Sequence, residues 1–219
     1  MKINCLKKLL GLSNTKINKN CQIEIEASLN HDCKELEINN WVVSDFVIKQ
    51  LVPVVGIHPY PLNELCLMVA AVVCFKPTHL FEWGTNLGKS ARIFHDTSQW
   101  FSVGTSIYSI DLPEDVDHVE HPHEQRGIFV KDIGDVTLLL GDGLETSLNL
   151  CQELKAKETF SPLFFIDGDH SYDSVRRELE NIINNVPEAN ILLHDTFYQT
   201  EASGYNIGPF QATEDVLAA

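Results

Sequence analysis

The stretch HLFEWGTNLGKSARIF (residues 79–94) places an acid, two glycines and a serine between an apolar run and an amphipathic one. THLFE (78–82) is short and apolar, as a buried strand is, and KSARIFHDTSQW (89–100) has helical spacing. A glycine-containing turn between a strand and a helix lets the backbone approach a ligand closely. The spacing E-x-G-x-x-x-G-x-S differs from both the dinucleotide pattern G-x-G-x-x-G and the phosphate-binding P-loop. The stretch therefore predicts a ligand-binding strand–turn–helix unit of another kind.

Apolar strands alternate with helices on both sides of this unit. A helix is predicted to begin at Pro61 and to end near Lys76. Further strands are predicted over 106–111, 136–142, 162–167 and 190–195, and further helices over 143–157 and 171–186. Continuous apolar strands separated by helices are typical of a parallel sheet covered on both faces. We therefore predict an α/β fold, a Rossmann-like doubly wound and mostly parallel sheet. Residues 1–40 are polar and mixed and are predicted to be an N-terminal extension, with one domain over 41–219.

Composition excludes several classes of partner. The net charge is −15, with 31 acidic and 16 basic residues, which argues against nucleic acid and against an anionic membrane surface. The longest apolar run, residues 65–75, is too short to span a bilayer. We read no signal peptide at the start of the chain. The six cysteines include no C-x-x-C pair, so a reducing, cytoplasmic location fits best.

Acidic residues recur where the predicted strands end. Because the carboxyl ends of parallel strands meet at one edge of the sheet, where ligands gather, we expect these acids to lie together. They are Glu82, Asp111, Asp142, Asp167 and Asp195.

The pattern around Glu82 resembles the first motif of class I S-adenosylmethionine-dependent methyltransferases. The resemblance implies that Glu82 helps to hold the loop and the methionine ammonium group of the cofactor. It implies that Asp111 accepts hydrogen bonds from both ribose hydroxyls and that Asp142 lies near the adenine, although GDG is also an ordinary turn. The implied cofactor-binding residues are Glu82, Gly84, Thr85, Asn86, Gly88, Ser90, Asp111, Asp142 and Asp167.

Two further strings, FFIDGDHSYDSVRREL (164–179) and ILLHDTF (191–197), resemble small-molecule O-methyltransferases. That subgroup includes enzymes that methylate sugars and cephalosporin-hydroxylase-like proteins. The resemblance implies methyl transfer to a hydroxyl of a sugar or secondary metabolite, with His170 and Asp167 as catalytic residues. For His170, capping of the following helix is the alternative to a general base.

The same resemblance implies a metal site. Mg²⁺ is the candidate ion, because oxygen ligands suit it. The expected ligands are Asp167, Asp169 and Asp195. His194 stands beside Asp195 where metal-using relatives often carry an acid or asparagine, and histidine is a poor ligand for Mg²⁺.

The stretch DHVEHPHEQRG (117–127) also contains potential ligands for a transition metal. Its proline and mixed charges favour a solvated or substrate-covering loop instead. After Phe197 only 22 residues follow, which leaves no room for the sixth and seventh strands of a complete fold of this class. We expect an open sheet edge of that kind to be covered, for instance in a homodimer.

Two other functions remain open. One is a non-catalytic module that binds the cofactor without turnover. The other is a nicotinamide-dependent oxidoreductase on a similar sheet, against which the missing G-x-G-x-x-G pattern counts.

Overall fold

The computed structural model describes residues 40–113, 115–116, 123–196 and 206–218. The helices are α1 (Asn40–Phe46), α2 (Val52–Val55), α3 (Leu62–Phe75), α4 (Lys89–Trp100), α5 (Gly143–Lys155), α6 (Tyr172–Asn185) and α7 (Gly208–Ala218). A π-helical turn, Val47–Leu51, joins α1 to α2, and a 3₁₀ turn, His123–Gln125, lies between β2 and β3. The strands are β1 (His79–Trp83), β2 (Ser106–Asp111), β3 (Val136–Leu140), β4 (Pro162–Ile166) and β5 (Asn190–Leu193).

The five strands form one parallel sheet in the order β3-β2-β1-β4-β5. The order reverses between β1 and β4, so that successive crossovers run to opposite sides of β1. A crevice opens at such a switch point, beyond the carboxyl ends of the strands. The doubly wound α/β fold predicted from the sequence is confirmed, and the strand-end acids are brought to a single edge.

Alternation along β1 separates two hydrophobic cores. Leu80 packs with α1, α3 and α4 on one face, and Phe81 and Trp83 pack with α5, α6 and α7 on the other. All five residues of β1 are buried, because helices cover both faces of this central strand. The two cores fix β1 and thereby the glycine-containing turn that follows it.

The limits of the domain stay predictions, since α1 begins at Asn40 and residues 1–39 lie outside the described part. The homodimer also stays a prediction. Within the described ranges, no helix has both the length and the apolar content that crossing a membrane requires.

Candidate active site

The turn between β1 and α4 lies tightly against the end of β4. Gly84 and Gly88 have φ angles of 89° and 79°, and Asn86 between them has φ of 44°. A Cβ atom on Gly84 would lie 2.7 Å from the carbonyl oxygen of Asp167. The backbone can come this close only without a side chain, and positive φ strains other residues. The turn therefore lies directly against the end of β4 at the switch point of the sheet.

Glu82 is fully buried beneath this turn. Its Oε1 accepts a hydrogen bond of 2.5 Å from the Ser109 hydroxyl, which lies 2.7 Å from the hydroxyl of Thr85. Its Oε2 is buried and has no hydrogen-bond partner among the described residues. Burial raises the pKa of Glu82 to about 7, against the lowering effect of the Ser109 and Ser90 hydroxyls. Asp167 and Asp111 raise it further, so the carboxyl group ionises near neutral pH.

Asp111 ends β2 beside the turn. Its Oδ2 accepts a hydrogen bond of 3.0 Å from the backbone amide of Asn86, and its Oδ1 accepts one of 2.8 Å from Leu112. Arg126 brings its Nε to 3.2 Å from Oδ2, and both side chains are mostly buried. The carboxylate is thus fixed and paired, but two oxygens with four lone pairs leave room for further donors.

The segment after Arg126 is tied to the turn. Gly127 donates a backbone hydrogen bond of 2.8 Å to Asn86, and Phe129 donates one of 3.0 Å to Leu87. A Cβ atom on Gly88 would meet Val130 at 2.9 Å, so this residue too permits a close approach. Residues 126–130 therefore line the turn on the side of the predicted cofactor site.

Asp142 has a structural role that the sequence left open. It is the N-cap of α5, accepting a hydrogen bond of 2.8 Å from the Glu145 amide. Arg177 of α6 lies 3.2 Å from its Oδ2. Burial would raise the pKa of Asp142, but the Glu145 amide and Arg177 outweigh it and lower the pKa. A contact with adenine stays a prediction beside this capping role.

A polar cluster lies at the ends of β4 and β5. Asp167 Oδ1 is 3.0 Å from His194 Nδ1 and 3.4 Å from His170 Nε2. One donor atom from each of these three residues lies within 4.8 Å of the other two. His170 Nε2 and His194 Nδ1 are buried and have no hydrogen-bond partner in the described part of the chain. Two histidines and a carboxylate thus converge directly beside the turn at Gly84.

The charges in this cluster are coupled. Burial would raise the pKa of Asp167, but the neighbouring His170, His194 and Tyr60 outweigh it and hold the pKa at about 2. Burial lowers the pKa of His194, whereas Asp167, Glu64 and Asp195 raise it, to about 9 overall. Asp167 also raises the pKa of His170, against the effect of burial.

Two side chains that the sequence gave no reason to select complete the cluster. The Tyr60 hydroxyl donates a hydrogen bond of 2.6 Å to Asp167 Oδ2, and Glu64 Oε2 lies 2.9 Å from His194 Nε2. Both precede β1, since Tyr60 lies two residues before α3 and Glu64 lies in its first turn. Asp167 is 107 residues from Tyr60, and His194 is 130 residues from Glu64. No local pattern connects residues so far apart.

The predicted metal ligands are placed differently from one another. Asp167 lies in the cluster, and Asp195 lies 3.5 Å from His170 and 3.3 Å from His194. Asp169 accepts hydrogen bonds from the backbone and hydroxyl of Ser171 and is exposed. Ser171 itself caps α6, so the helix does not need His170 as its cap. Most of the histidine-containing stretch 117–127 lies outside the described residues.

Known proteins share this architecture. A methyltransferase of Podospora anserina bound to SAH is 17% identical, with a TM-score of 0.51 over 83% of this chain and 78% of that one. A TDP-rhamnose 3′-O-methyltransferase of calicheamicin biosynthesis is 15% identical, with a TM-score of 0.50 over 81% of this chain and 83% of that one. No curated protein sequence matches significantly. The profile of a methyltransferase-domain family matches residues 81–196, more than half of the chain. The chain therefore belongs to the methyltransferase-domain family.

Proposed function

We propose that the chain transfers the methyl group of S-adenosylmethionine to a hydroxyl oxygen of a small molecule. The observation that carries the proposal is the contact between the turn at Gly84 and Asp167, where a Cβ atom would meet a backbone oxygen at 2.7 Å. This contact joins the cofactor side of the crevice directly to the polar cluster. A donor methyl group held against the turn would therefore face a hydroxyl group held by the cluster.

The cofactor side offers groups suited to the two ends of S-adenosylmethionine. Asp111 is fixed by the Asn86 and Leu112 amides and presents its oxygens where the resemblance places the ribose hydroxyls. Glu82, buried with one unpartnered oxygen, lies beneath the turn where the methionine part is expected. A cation nearby would favour the ionised form of this carboxyl group. Thr85, Asn86, Gly88 and Ser90 complete the proposed site.

The acceptor side offers a proton acceptor. In the metal-free site we assign this role to His170, oriented by Asp167 at 3.4 Å. The acceptor oxygen attacks the methyl carbon as the bond from carbon to sulfur breaks, and the hydroxyl proton passes to the imidazole. The sulfonium becomes an uncharged thioether. Alignment of the two reactants supplies much of the rate enhancement.

The TDP-rhamnose enzyme among the structural matches supports a sugar or similar hydroxylated compound as the acceptor. The divalent ion that the resemblance implies has to be tested against the atoms present. Two of the three convergent donors are imidazole nitrogens, whereas Mg²⁺ prefers oxygen ligands. The cluster therefore does not fit Mg²⁺, and no step is assigned to that ion.

Calorimetry with S-adenosylmethionine and S-adenosylhomocysteine tests the cofactor side. We expect Asp111→Ala to abolish binding, and Asp132→Ala, at an exposed position before β3, to leave it unchanged. Equal affinities in the two variants would contradict the assignment. Binding of a nicotinamide dinucleotide instead would favour the oxidoreductase.

Transfer of a labelled methyl group to a panel of sugars, nucleotide sugars and catechols tests the reaction. We expect His170→Gln to bind the cofactor like the parent chain and to lose turnover. If the parent binds the cofactor but methylates no member of a broad panel, the non-catalytic module is the better description.

A further inference from the structure

The cluster beside the turn has a second property, which is the direction of its donor atoms. Asp167, His170 and His194 each turn one atom toward a common point, and these three atoms lie within 4.8 Å of one another. The ring nitrogens that face Asp167, His170 Nε2 and His194 Nδ1, are buried and have no hydrogen-bond partner within the described residues. Both nitrogens lie within ion-pair distance of Asp167 Oδ1, at 3.0 Å for His194 and 3.4 Å for His170, but neither contact has hydrogen-bond geometry. Because buried polar atoms are almost always hydrogen-bonded or coordinated, two such nitrogens around one carboxylate oxygen indicate a shared ligand.

The other polar atom of each side chain contacts a further residue on the side away from the cluster. Tyr60 donates a hydrogen bond of 2.6 Å to Asp167 Oδ2, which leaves Oδ1 facing inward. Glu64 lies 2.9 Å from His194 Nε2. A carboxylate only accepts, so Nε2 carries the hydrogen and the Nδ1 lone pair is free to point inward when the ring is neutral.

His170 is supported in the same way. Its Nδ1 lies 3.5 Å from Asp195 Oδ2, while its Nε2 faces Asp167. Histidines that bind metals in proteins nearly always have a carboxylate, carbonyl or water on the other ring nitrogen. Each of the three convergent residues thus has an inner donor atom and an outer partner, which are Tyr60, Glu64 and Asp195. The other oxygen of Asp195, Oδ1, lies 3.3 Å from the inner nitrogen of His194.

We propose that the chain binds one divalent transition-metal ion, of the Zn²⁺ class, through Asp167, His170 and His194. Two imidazole nitrogens and one carboxylate oxygen suit Zn²⁺, Co²⁺ or Fe²⁺ and do not suit Mg²⁺. Three protein ligands leave coordination positions open to an acceptor hydroxyl, whose pKa the ion lowers when bound. His170 is then a ligand in the metal-loaded chain. Tyr60 and Glu64 are positioning residues, and both precede the segment that matches the methyltransferase family.

The inference concerns the acceptor side of the proposed function, but metal binding is measured with neither substrate present, so either proposal can fail alone. The chelator-treated full chain is titrated separately with Zn²⁺, Co²⁺ and Mg²⁺ by calorimetry. We expect one Zn²⁺ or Co²⁺ per chain and binding of Mg²⁺ that is at least about 100-fold weaker. Bound Co²⁺ is expected to show the visible absorption of a nitrogen-coordinated ion.

Variants locate the ion. His194→Gln is expected to remove Zn²⁺ binding, and Glu64→Gln and Tyr60→Phe to weaken it roughly 10- to 100-fold. All three are expected to keep their affinity for S-adenosylhomocysteine. The matched control is His95→Gln, because His95 also lies beside two carboxylates, Asp96 at 3.1 Å and Asp135 at 3.9 Å.

The histidine-rich stretch supplies a second control, since His121→Ala reports any ion held there. Thermal unfolding in chelator shows whether each variant is folded. Tyr60→Phe keeps its ring in the core and serves as the remaining arm if His194→Gln does not fold. Zn²⁺ affinity that is unchanged in the folded variants, or Mg²⁺ binding as tight as Zn²⁺ binding, would overturn the proposal.

Discussion

Replacing Glu82 by glutamine is expected to stabilise the ligand-free chain at alkaline pH. Its side chain is completely buried, and burial raises its pKa from 4.5 to about 7. Ionisation is therefore easier in the unfolded chain than in the folded one. The gap between the two values, at about 1.4 kcal/mol per pH unit, corresponds to about 3 kcal/mol of lost stability once both states are ionised.

The sign of the effect follows from the raised pKa. Because the folded pKa lies above the unfolded one, the full stability is present below about pH 4.5 and is lost as the pH rises through about 7. Glu82→Gln removes this loss while keeping the size of the side chain and an acceptor for the Ser109 hydroxyl. The free energy of unfolding of the variant should therefore exceed that of the parent by under about 1 kcal/mol at pH 5 and by about 3 kcal/mol at pH 8.5.

Urea unfolding of both proteins at the two pH values measures this difference. Glu153→Gln is the control, because that side chain is 65% exposed on α5 and should show no pH-dependent gain. A Glu82→Gln variant that is less stable than the parent by the same amount at both pH values would refute the reasoning. It would show that Glu82 is ionised and well paired in the folded chain.

The same substitution separates stability from binding. If S-adenosylmethionine binds as proposed, its positive charges favour the ionised form of Glu82, and the parent should release protons on binding near pH 7. Glu82→Gln should bind the cofactor more weakly and release fewer protons. Calorimetry in buffers of different ionisation enthalpy measures both quantities, and equal proton release by both proteins would count against a cationic group beside Glu82.

Three further substitutions test residues that hold the site in place. Gly84→Ala should destabilise the chain by roughly 1–3 kcal/mol and remove cofactor binding. The reason is that φ is 89° at this residue and the new Cβ would meet the backbone oxygen of Asp167 at 2.7 Å. Thermal unfolding measures the loss of stability, and calorimetry measures the loss of binding. Asp142→Ala should cost about 1 kcal/mol through the lost cap of α5, whereas Asp142→Asn should cost little; a cofactor affinity unchanged in both would leave capping as its main role. Trp83→Phe should lower the free energy of unfolding in urea by about 1 kcal/mol, because it removes the buried hydrogen bond of 2.8 Å that the indole N–H donates to the Ser147 hydroxyl.

The fold could be predicted because its determinants are local. Apolar runs separated by amphipathic segments specify buried strands and covering helices, and the helix predicted over 89–100 has those bounds in the structure. The convergence of the strand-end acids follows from parallel pairing alone, so the sequence was enough to place Glu82, Asp111 and Asp167 together. Sequence periodicity contains this information because each element buries its own apolar face.

The partners of those acids could not be predicted, because each comes from a distant part of the chain. Tyr60 and Glu64 reach Asp167 and His194 only after α3 has packed against the sheet. Arg126 pairs with Asp111 because the residues that follow it, Gly127 and Phe129, are hydrogen-bonded to the turn after β1. Tertiary packing decides such pairs, and a hydrophobic pattern does not encode them.

These partners reduce the negative charge that the row of acids would otherwise give to the sheet edge. Five carboxyl groups on one sheet edge of a chain with net charge −15 would be expected to form a strongly negative crevice. Each carboxyl group instead has either a raised pKa or a cationic partner. Burial raises the pKa of Glu82 to about 7, Asp111 has Arg126, Asp142 has Arg177, and Asp167 and Asp195 share two histidines. Among the described residues, a ligand that enters here meets acceptors that are fixed and, except for Glu82 Oε2, already paired. Its affinity therefore depends on matching their geometry more than on its net positive charge.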